Sequence, residues 1–275
     1  MTTRQNIINE EKLQKMSYTE FISFVNQWNI PPGSLSTVSE WAVFGDVQKD
    51  SNVLEIACTT GFSSRELSRL SKCRAMGIDI CKDSVEMAKY NHSYYAKELD
   101  LRYQCINAYE FEPEEKFTHI IIGAALGFFD DPKKMLQKCV NFFNDQGYIL
   151  ASPYYGAGEM PSSLKEQCKT VIGITPTSTS YEKIKDMYED FEVLYESRKK
   201  IVVETESQMK KYTKDTVDNA CKLRGIEDEQ LCKIMYDRVY EIKHVCNELR
   251  RYQEYSVLVL RYMKSMYPNR YIELF

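Results

Sequence analysis

The chain has 275 residues, 43% hydrophobic and 28% charged, which suits one elaborated domain with a sizeable core under a solvated surface. Its net charge of −4 and pI near 5.6 disfavour nucleic acid as a partner, and the short basic clusters Arg198-Lys199-Lys200 and Arg250-Arg251 read as solvated ends of elements. No apolar run reaches the roughly twenty residues of a membrane span. The first residues, Met1 to Asn6, lack an apolar signal core. Nine cysteines without paired spacing and three histidines point to reduced thiols in a cytoplasmic protein and to no metal site.

Residues 1–16 are polar and read as mobile. Ser17-Tyr18-Thr19-Glu20 is a capping box ahead of Phe21, Ile22, Phe24, Val25 and Trp28, which predicts an amphipathic helix of about three turns. Pro31-Pro32-Gly33-Ser34 ends it in a rigid turn, and Thr37-Val38-Ser39-Glu40 reads as a second capping box. Strand patterns at 53–57, 74–79, 101–106, 118–123 and 147–152 then alternate with helical patterns at 63–71, 83–97 and 131–143. Asp83 with Glu86 is the expected cap of the second of these helices, and Asp130-Asp131-Pro132 opens the third. Alternation of this kind predicts a parallel, doubly wound sheet that holds its ligand at the carboxyl edge.

After residue 152 the pattern changes. Residues 161–172 look helical, and Phe191 to Tyr195 with Lys200 to Val203 look like one long or interrupted strand. Helices are expected over roughly 205–223, stopping at Gly225, and 227–251, with Leu231, Ile234, Met235, Val239, Ile242, Cys246 and Leu249 on one stripe. Ser256 to Leu260 closes the chain as a buried strand.

The segment richest in information is Val53-Leu54-Glu55-Ile56-Ala57-Cys58-Thr59-Thr60-Gly61-Phe62-Ser63-Ser64. An apolar strand carries a carboxylate, turns through small residues and enters a helix. Asp79 closes a second apolar run eighteen residues after Gly61. This is the outline of a nucleoside-binding βαβ unit, in which an acidic strand end accepts both ribose hydroxyls. A dinucleotide-binding dehydrogenase would call for three glycines as G-x-G-x-x-G, and only Gly61 is present.

On these residues the chain resembles the class I S-adenosylmethionine-dependent methyltransferases of small-molecule type. Glu55 takes the acidic place and Gly61 the last glycine of their first motif, while Ala57 and Thr59 replace the other two glycines. The resemblance implies an α/β fold with a doubly wound, mostly parallel, seven-stranded Rossmann-like sheet, N-terminal helices and a helical insertion before the last strand. It divides the chain into an N-terminal helical segment (1–46), a cofactor-binding core (47–204), a helical lid (205–252, with a dimer surface as the alternative) and a final core strand and tail (253–275).

The resemblance further implies S-adenosyl-L-methionine as cofactor, with S-adenosyl-L-homocysteine as product. Glu55, Ala57, Cys58, Thr59 and Gly61 would line its methionine portion, Asp79 the ribose, Ile80 the adenine face, Asn107 and Ala108 the adenine edge with Tyr109 or Phe111 beside them, and Gly123 the sulfonium. Asn107 also reads as a turn former. On the acceptor side Tyr154 and Tyr155 (with Phe128 and Phe129 in an aromatic wall) and His244 are the candidates for catalysis. The reaction expected is methyl transfer to a small-molecule acceptor such as a specialised metabolite, driven by alignment, in a monomer or homodimer that meets no membrane. Peptide or protein methylation, or cofactor binding without catalysis, are the alternatives.

Overall fold

The computed structural model describes residues 8–268. The residues before Ile8 and the tail after Pro268 lie outside the described residues, and with them the expectations placed there. The chain divides into two compact units. A sheet unit comprises 28–160, 177–201 and the chain from Arg250 onward; a helical unit comprises the chain up to Gln27 with 161–176 and 202–249. This division crosses the expected one: the helix over Leu35–Phe44 falls with the sheet, and the helix over Ser162–Ile172 falls with the helical unit.

In the sheet unit, β1 (Asn52–Ile56), β2 (Arg74–Asp79), β3 (Leu101–Cys105), β4 (Phe117–Gly123) and β5 (Phe143–Ala151) run parallel in the order β3-β2-β1-β4-β5. β1 is buried throughout. Leu54 and Ile56 join one core cluster and Val53 the other, so alternate residues serve the two faces, as a covered parallel strand requires. The antiparallel β8 (Gln253–Met263) pairs with β5 on one edge and with β7 (Glu192–Lys200) on the other.

A short strand that the sequence pattern does not reveal, β6 (Tyr154–Gly156), also pairs with β8. β5 leaves β8 at Ala151↔Leu258 and β6 resumes at Tyr154↔Tyr255 in the same register. β6 therefore continues β5 across Ser152-Pro153, where Pro153 has no N–H for the ladder. Eight strands thus occupy seven ladder positions.

Helices α3 (Leu35–Phe44), α4 (Phe62–Ser71), α5 (Lys82–Tyr95) and α6 (Pro132–Val140) belong to this unit. Asp131 caps α6 by accepting from Lys134 N at 3.0 Å, with Pro132 in the first turn. The cap expected at Asp83 is not formed: Cys81 is the N-cap of α5, without a side-chain bond, and Asp83 lies in the first turn. The box expected at Thr37 is not formed either. The Pro31-Pro32-Gly33 turn releases the chain into helix already at Leu35, and the buried Thr37 hydroxyl donates instead to the Pro32 carbonyl at 2.5 Å.

The helical unit holds α1 (Glu10–Lys15), α2 (Tyr18–Phe24), α7 (Ser162–Ile172), α9 (Glu206–Arg224) and α10 (Glu229–Leu249). A short α8 (Tyr181–Lys185) stays with the sheet. The Ser17/Glu20 capping box is present, and α2 ends at Phe24, so Trp28 lies beyond the helix. Of the expected stripe, α10 buries Met235, Val239, Ile242 and Leu249 and leaves Leu231, Ile234 and Cys246 half-buried, with Val245 buried beside them, and it packs on α7 and α9. Arg238 of α10 lies over the Phe21 ring and donates to the carbonyls of Leu13 and Met16, closing the end of α1. No helix among the described residues is long and apolar enough to cross a membrane.

Candidate functional site

The turn from β1 into α4 gathers the residues expected at the methionine portion. Ala57, Thr59 and Gly61 all carry positive φ, at 55°, 44° and 73°. The loop keeps the glycine path at positions where side chains make that path costly, by about 1–3 kcal/mol per strained residue. Three backbone N–H groups hold it: Cys58 N donates to Ile78 O at 3.0 Å, Gly61 N to Cys58 O at 2.8 Å, and Thr59 N to the Asp79 side chain, Oδ2, at 2.9 Å. Cys58 faces the core at 1% exposure, and burial lifts its thiol well above the ordinary range, so it contributes backbone to this edge.

Glu55 is buried and its Oε2 accepts from Ser64 N at 2.9 Å, in the first turn of α4, where orphan N–H groups and the helix dipole favour an anion. Burial raises its carboxyl above the usual range, against the lowering by hydrogen bonds from Ser64. Asp79 stands at the end of β2, also buried, and its two oxygens accept from the N–H groups of Thr59 and Cys81 at 2.9 and 2.8 Å. Desolvation raises this carboxyl too.

Next along the carboxyl edge, Ile80 is 73% exposed, an apolar residue at the place expected for an adenine face. Asn107 Oδ1 accepts from Tyr109 N at 3.0 Å, so the residue is a turn former through that oxygen. The methyl of Ala108 and the ring of Phe111 lie in the core cluster, while Tyr109 packs edge-on against Phe129 and donates to Asp131 O at 3.0 Å. Gly123 ends β4 at φ 50° and its carbonyl accepts from Ser152 N at 2.7 Å.

The acceptor-side candidates divide. Tyr154 is half-buried at the start of β6. Tyr155 is a packing residue, contrary to the expectation: it is 1% exposed, and its hydroxyl lies within 3.5 Å of Glu254 Oε2, Tyr255 O and Arg198 Nε. Alternation along β6 turns adjacent tyrosines to opposite faces. Phe128 is exposed in a short 3-10 turn after β4. His244 belongs to the helical unit, stacked 6.2 Å from Tyr240, with a buried Nδ1 that has no hydrogen-bond partner. Among the described residues no His/Cys/Asp/Glu group is arranged to hold a metal.

Three residues outside the sequence reading shape this edge. Asn91 of α5, fully buried, donates from Nδ2 to Thr60 O at 3.1 Å. Tyr103 of β3 fills the space a Cβ would take at Gly61, 2.6 Å from its hydroxyl, and at Gly77, 2.7 Å from its ring. Arg65 of α4 is 1% exposed: its Nε donates to Glu66 Oε1 at 3.0 Å, Nη1 donates to Gly61 O at 3.4 Å, the guanidinium lies 4.5 Å above the Trp28 ring, and Nη2 is buried without a partner. Arginines on amphipathic helices are ordinarily solvated, so only the neighbouring Phe62 and the distant Trp28 signal this one.

The profile of a methyltransferase domain family matches residues 47–192, more than half of the chain, and the chain belongs to that family. The crystal structure of MccD protein is similar at a TM-score of 0.68 and 25% identity, over 85% of this chain and 99% of that one. A SAM-dependent methyltransferase from Geobacter sulfurreducens, solved with S-adenosyl-L-homocysteine, has the same fold at a TM-score of 0.65 and 14% identity, over 88% of this chain and 96% of its own. The mitochondrial ubiquinone biosynthesis O-methyltransferase of Dictyostelium discoideum is 26% identical over 110 residues, which are 37% of this chain and 34% of that relative. The protein is an S-adenosylmethionine-dependent methyltransferase of class I fold.

Proposed function

We propose that the chain methylates a small-molecule acceptor, and that the carboxyl edge of β1–β4 holds the cofactor in the order laid out above. The observation that carries this reading is the pair of buried carboxylates, Glu55 and Asp79, around a left-handed loop beside an exposed apolar residue, Ile80. S-adenosylmethionine supplies an activated methyl on a sulfonium, beside an ammonium, a carboxylate and an adenosine. Asp79 retains lone pairs beyond its two backbone bonds and accepts the ribose hydroxyls with them. Ile80 covers one adenine face, and Asn107 offers its amide to the adenine edge. Glu55 fixes the start of α4 and adds negative potential beside the ammonium.

The orphan nitrogen of Arg65 fits the carboxylate of the methionine tail. Glu66 and the Gly61 carbonyl already hold Nε and Nη1, so the one buried nitrogen left without a partner calls for a single carboxylate oxygen. S-adenosyl-L-homocysteine against methylthioadenosine, which lacks the amino acid tail, tests this directly. Arg65→Lys should weaken the first and spare the second, whereas equal losses would make Arg65 structural.

For the acceptor, Tyr154 is the side chain proposed to orient or deprotonate it. Alignment of donor and acceptor at near-attack distance supplies up to roughly 7–11 kcal/mol in favourable cases. A base is needed only for an alcohol, phenol or acidic carbon. Transfer of labelled methyl into metabolite, peptide and transfer-RNA pools tests the acceptor class: label in small molecules supports the reading, and label confined to peptide or RNA overturns it. Tyr154→Phe should then lower kcat with S-adenosyl-L-homocysteine affinity unchanged if the hydroxyl is the base; unchanged kcat removes it from catalysis.

A further inference from the structure

The helical unit contains a feature that methyl transfer does not use. Cys221, in the last turn of α9, and Cys232, in the first turn of α10, place their sulfurs 2.6 Å apart. Two unbonded sulfurs do not normally approach so closely. Between them lies the turn at Gly225, whose φ of 64° lets α9 end and α10 return. The turn is held by Ile226 N donating to Cys221 O at 2.9 Å, and Cys232 Sγ lies 4.0 Å from Ile226 O. Both thiols are half-buried, so a small reagent reaches them. No third metal-ligating side chain joins them among the described residues, which leaves sulfur–sulfur chemistry.

We propose that Cys221 and Cys232 form a reversible intramolecular disulfide that staples the α9–α10 hairpin, with a low-molecular-weight disulfide such as oxidised glutathione as the oxidant. The Cys232 thiolate attacks one sulfur of the oxidant, a mixed disulfide forms, and one glutathione thiol leaves. Cys221 then gives its proton to solvent and attacks Cys232 Sγ, releasing the second thiol. Two protein thiols are oxidised and one disulfide is reduced to two thiols. Burial and the facing sulfur hold the Cys221 thiol above its ordinary range, with Asp218 adding to the effect, so closure quickens as pH rises. The bond closes a short loop and restricts the unfolded chain, so the oxidised hairpin is the more stable one.

The full chain, equilibrated at graded ratios of reduced to oxidised glutathione, alkylated and digested with trypsin, tests the proposal. The expected result is a linked pair of peptides carrying Cys221 and Cys232. Cys105, exposed on β3, serves as internal control and takes only a glutathione adduct. Oxidation should raise Tm by several degrees in the parent chain and not in Cys232→Ser, which keeps the volume of the site. Both thiols still alkylated at ratios that fully modify Cys105, or a Tm rise retained in Cys232→Ser, would overturn the proposal.

Discussion

The α9–α10 turn and the β1–α4 turn both need left-handed backbone, and they fill it differently. At the first, Gly225 takes φ 64° without a Cβ to clash, and the flanking helices are regular, with a Thr205/Gln208 capping box and i,i+4 pairs such as Lys211–Asp215 and Lys233–Asp237. At the second, Ala57 and Thr59 are held at φ 55° and 44°, and the loop is tied down by Asp79, Ile78 and Asn91. The hairpin is stable by local propensity. The cofactor edge is over-determined by distant partners, which lets it carry strain where a ligand must meet the backbone.

The strongest way to break that contrast is Gly61→Val. A β-branched residue at φ 73° is strained, and its Cβ would sit 2.6 Å from the Tyr103 hydroxyl. Strain and overpacking together cost roughly 2–6 kcal/mol. Cofactor binding should be lost or nearly so, and Gly61→Ala with Tyr103→Leu should recover part of it. Wild-type S-adenosyl-L-homocysteine affinity in Gly61→Val, measured by calorimetry, would mean that the loop does not meet the cofactor.

Asp79→Ala comes next. It removes the ribose acceptor and the bond that positions Thr59 N, each a hydrogen bond to a charged group worth about 1.5–3 kcal/mol. Affinity should fall at least tenfold, with Asp79→Asn intermediate. A folded Asp79→Ala protein with unchanged affinity would remove Asp79 from the site.

The pH dependence is subtler. Burial raises the Asp79 carboxyl in the unliganded protein. The folded group therefore holds its proton more tightly than the unfolded one. Its contribution to stability is present below the unfolded carboxylate value, about 4, and is lost as pH rises through the raised folded value. The ribose needs the carboxylate, so affinity moves the opposite way, falling as pH drops through the raised value by about tenfold per unit below it. In Asp79→Asn both dependences should flatten. A wild-type affinity whose pH profile matches that of Asp79→Asn would contradict the role given to this carboxylate.

The contrast between the turns also explains what the sequence made legible. The α9–α10 pair was readable because a helix stripe repeats locally, and the βαβ outline because Glu55, Gly61 and Asp79 fall at fixed spacing along the chain. Ser17 capped its helix as read, since no competing turn precedes it; Thr37 did not, because the Pro31-Pro32-Gly33 turn starts the helix first. Tyr103 beneath Gly61, Arg65 against Trp28 and the continuation of β5 into β6 depend on neighbours distant in the chain, and no periodicity announces them. Tyr155 looked like Tyr154 in the sequence; only the strand between Ser152-Pro153 and Gly156 turns one of them into the core.

The smallest effect is the most pointed test. Thr59→Gly should relieve a left-handed strain of about 1–2 kcal/mol. Part of that gain is offset because a glycine makes the unfolded chain more flexible, by roughly 0.5–1 kcal/mol. The net is a stabilisation of at most about 1.5 kcal/mol, visible as a small rise in the urea midpoint with an unchanged slope. Lys72→Gly, at φ 62° beyond the end of α4, should give a similar gain. The two variants part company in binding. A glycine at 59 leaves the loop less preorganised, so S-adenosyl-L-homocysteine affinity should fall a few-fold, while the glycine at 72 leaves affinity alone. If Thr59→Gly gains stability and keeps full affinity, the strained threonine has no part in presenting the loop, and the difference between the two turns is one of packing alone.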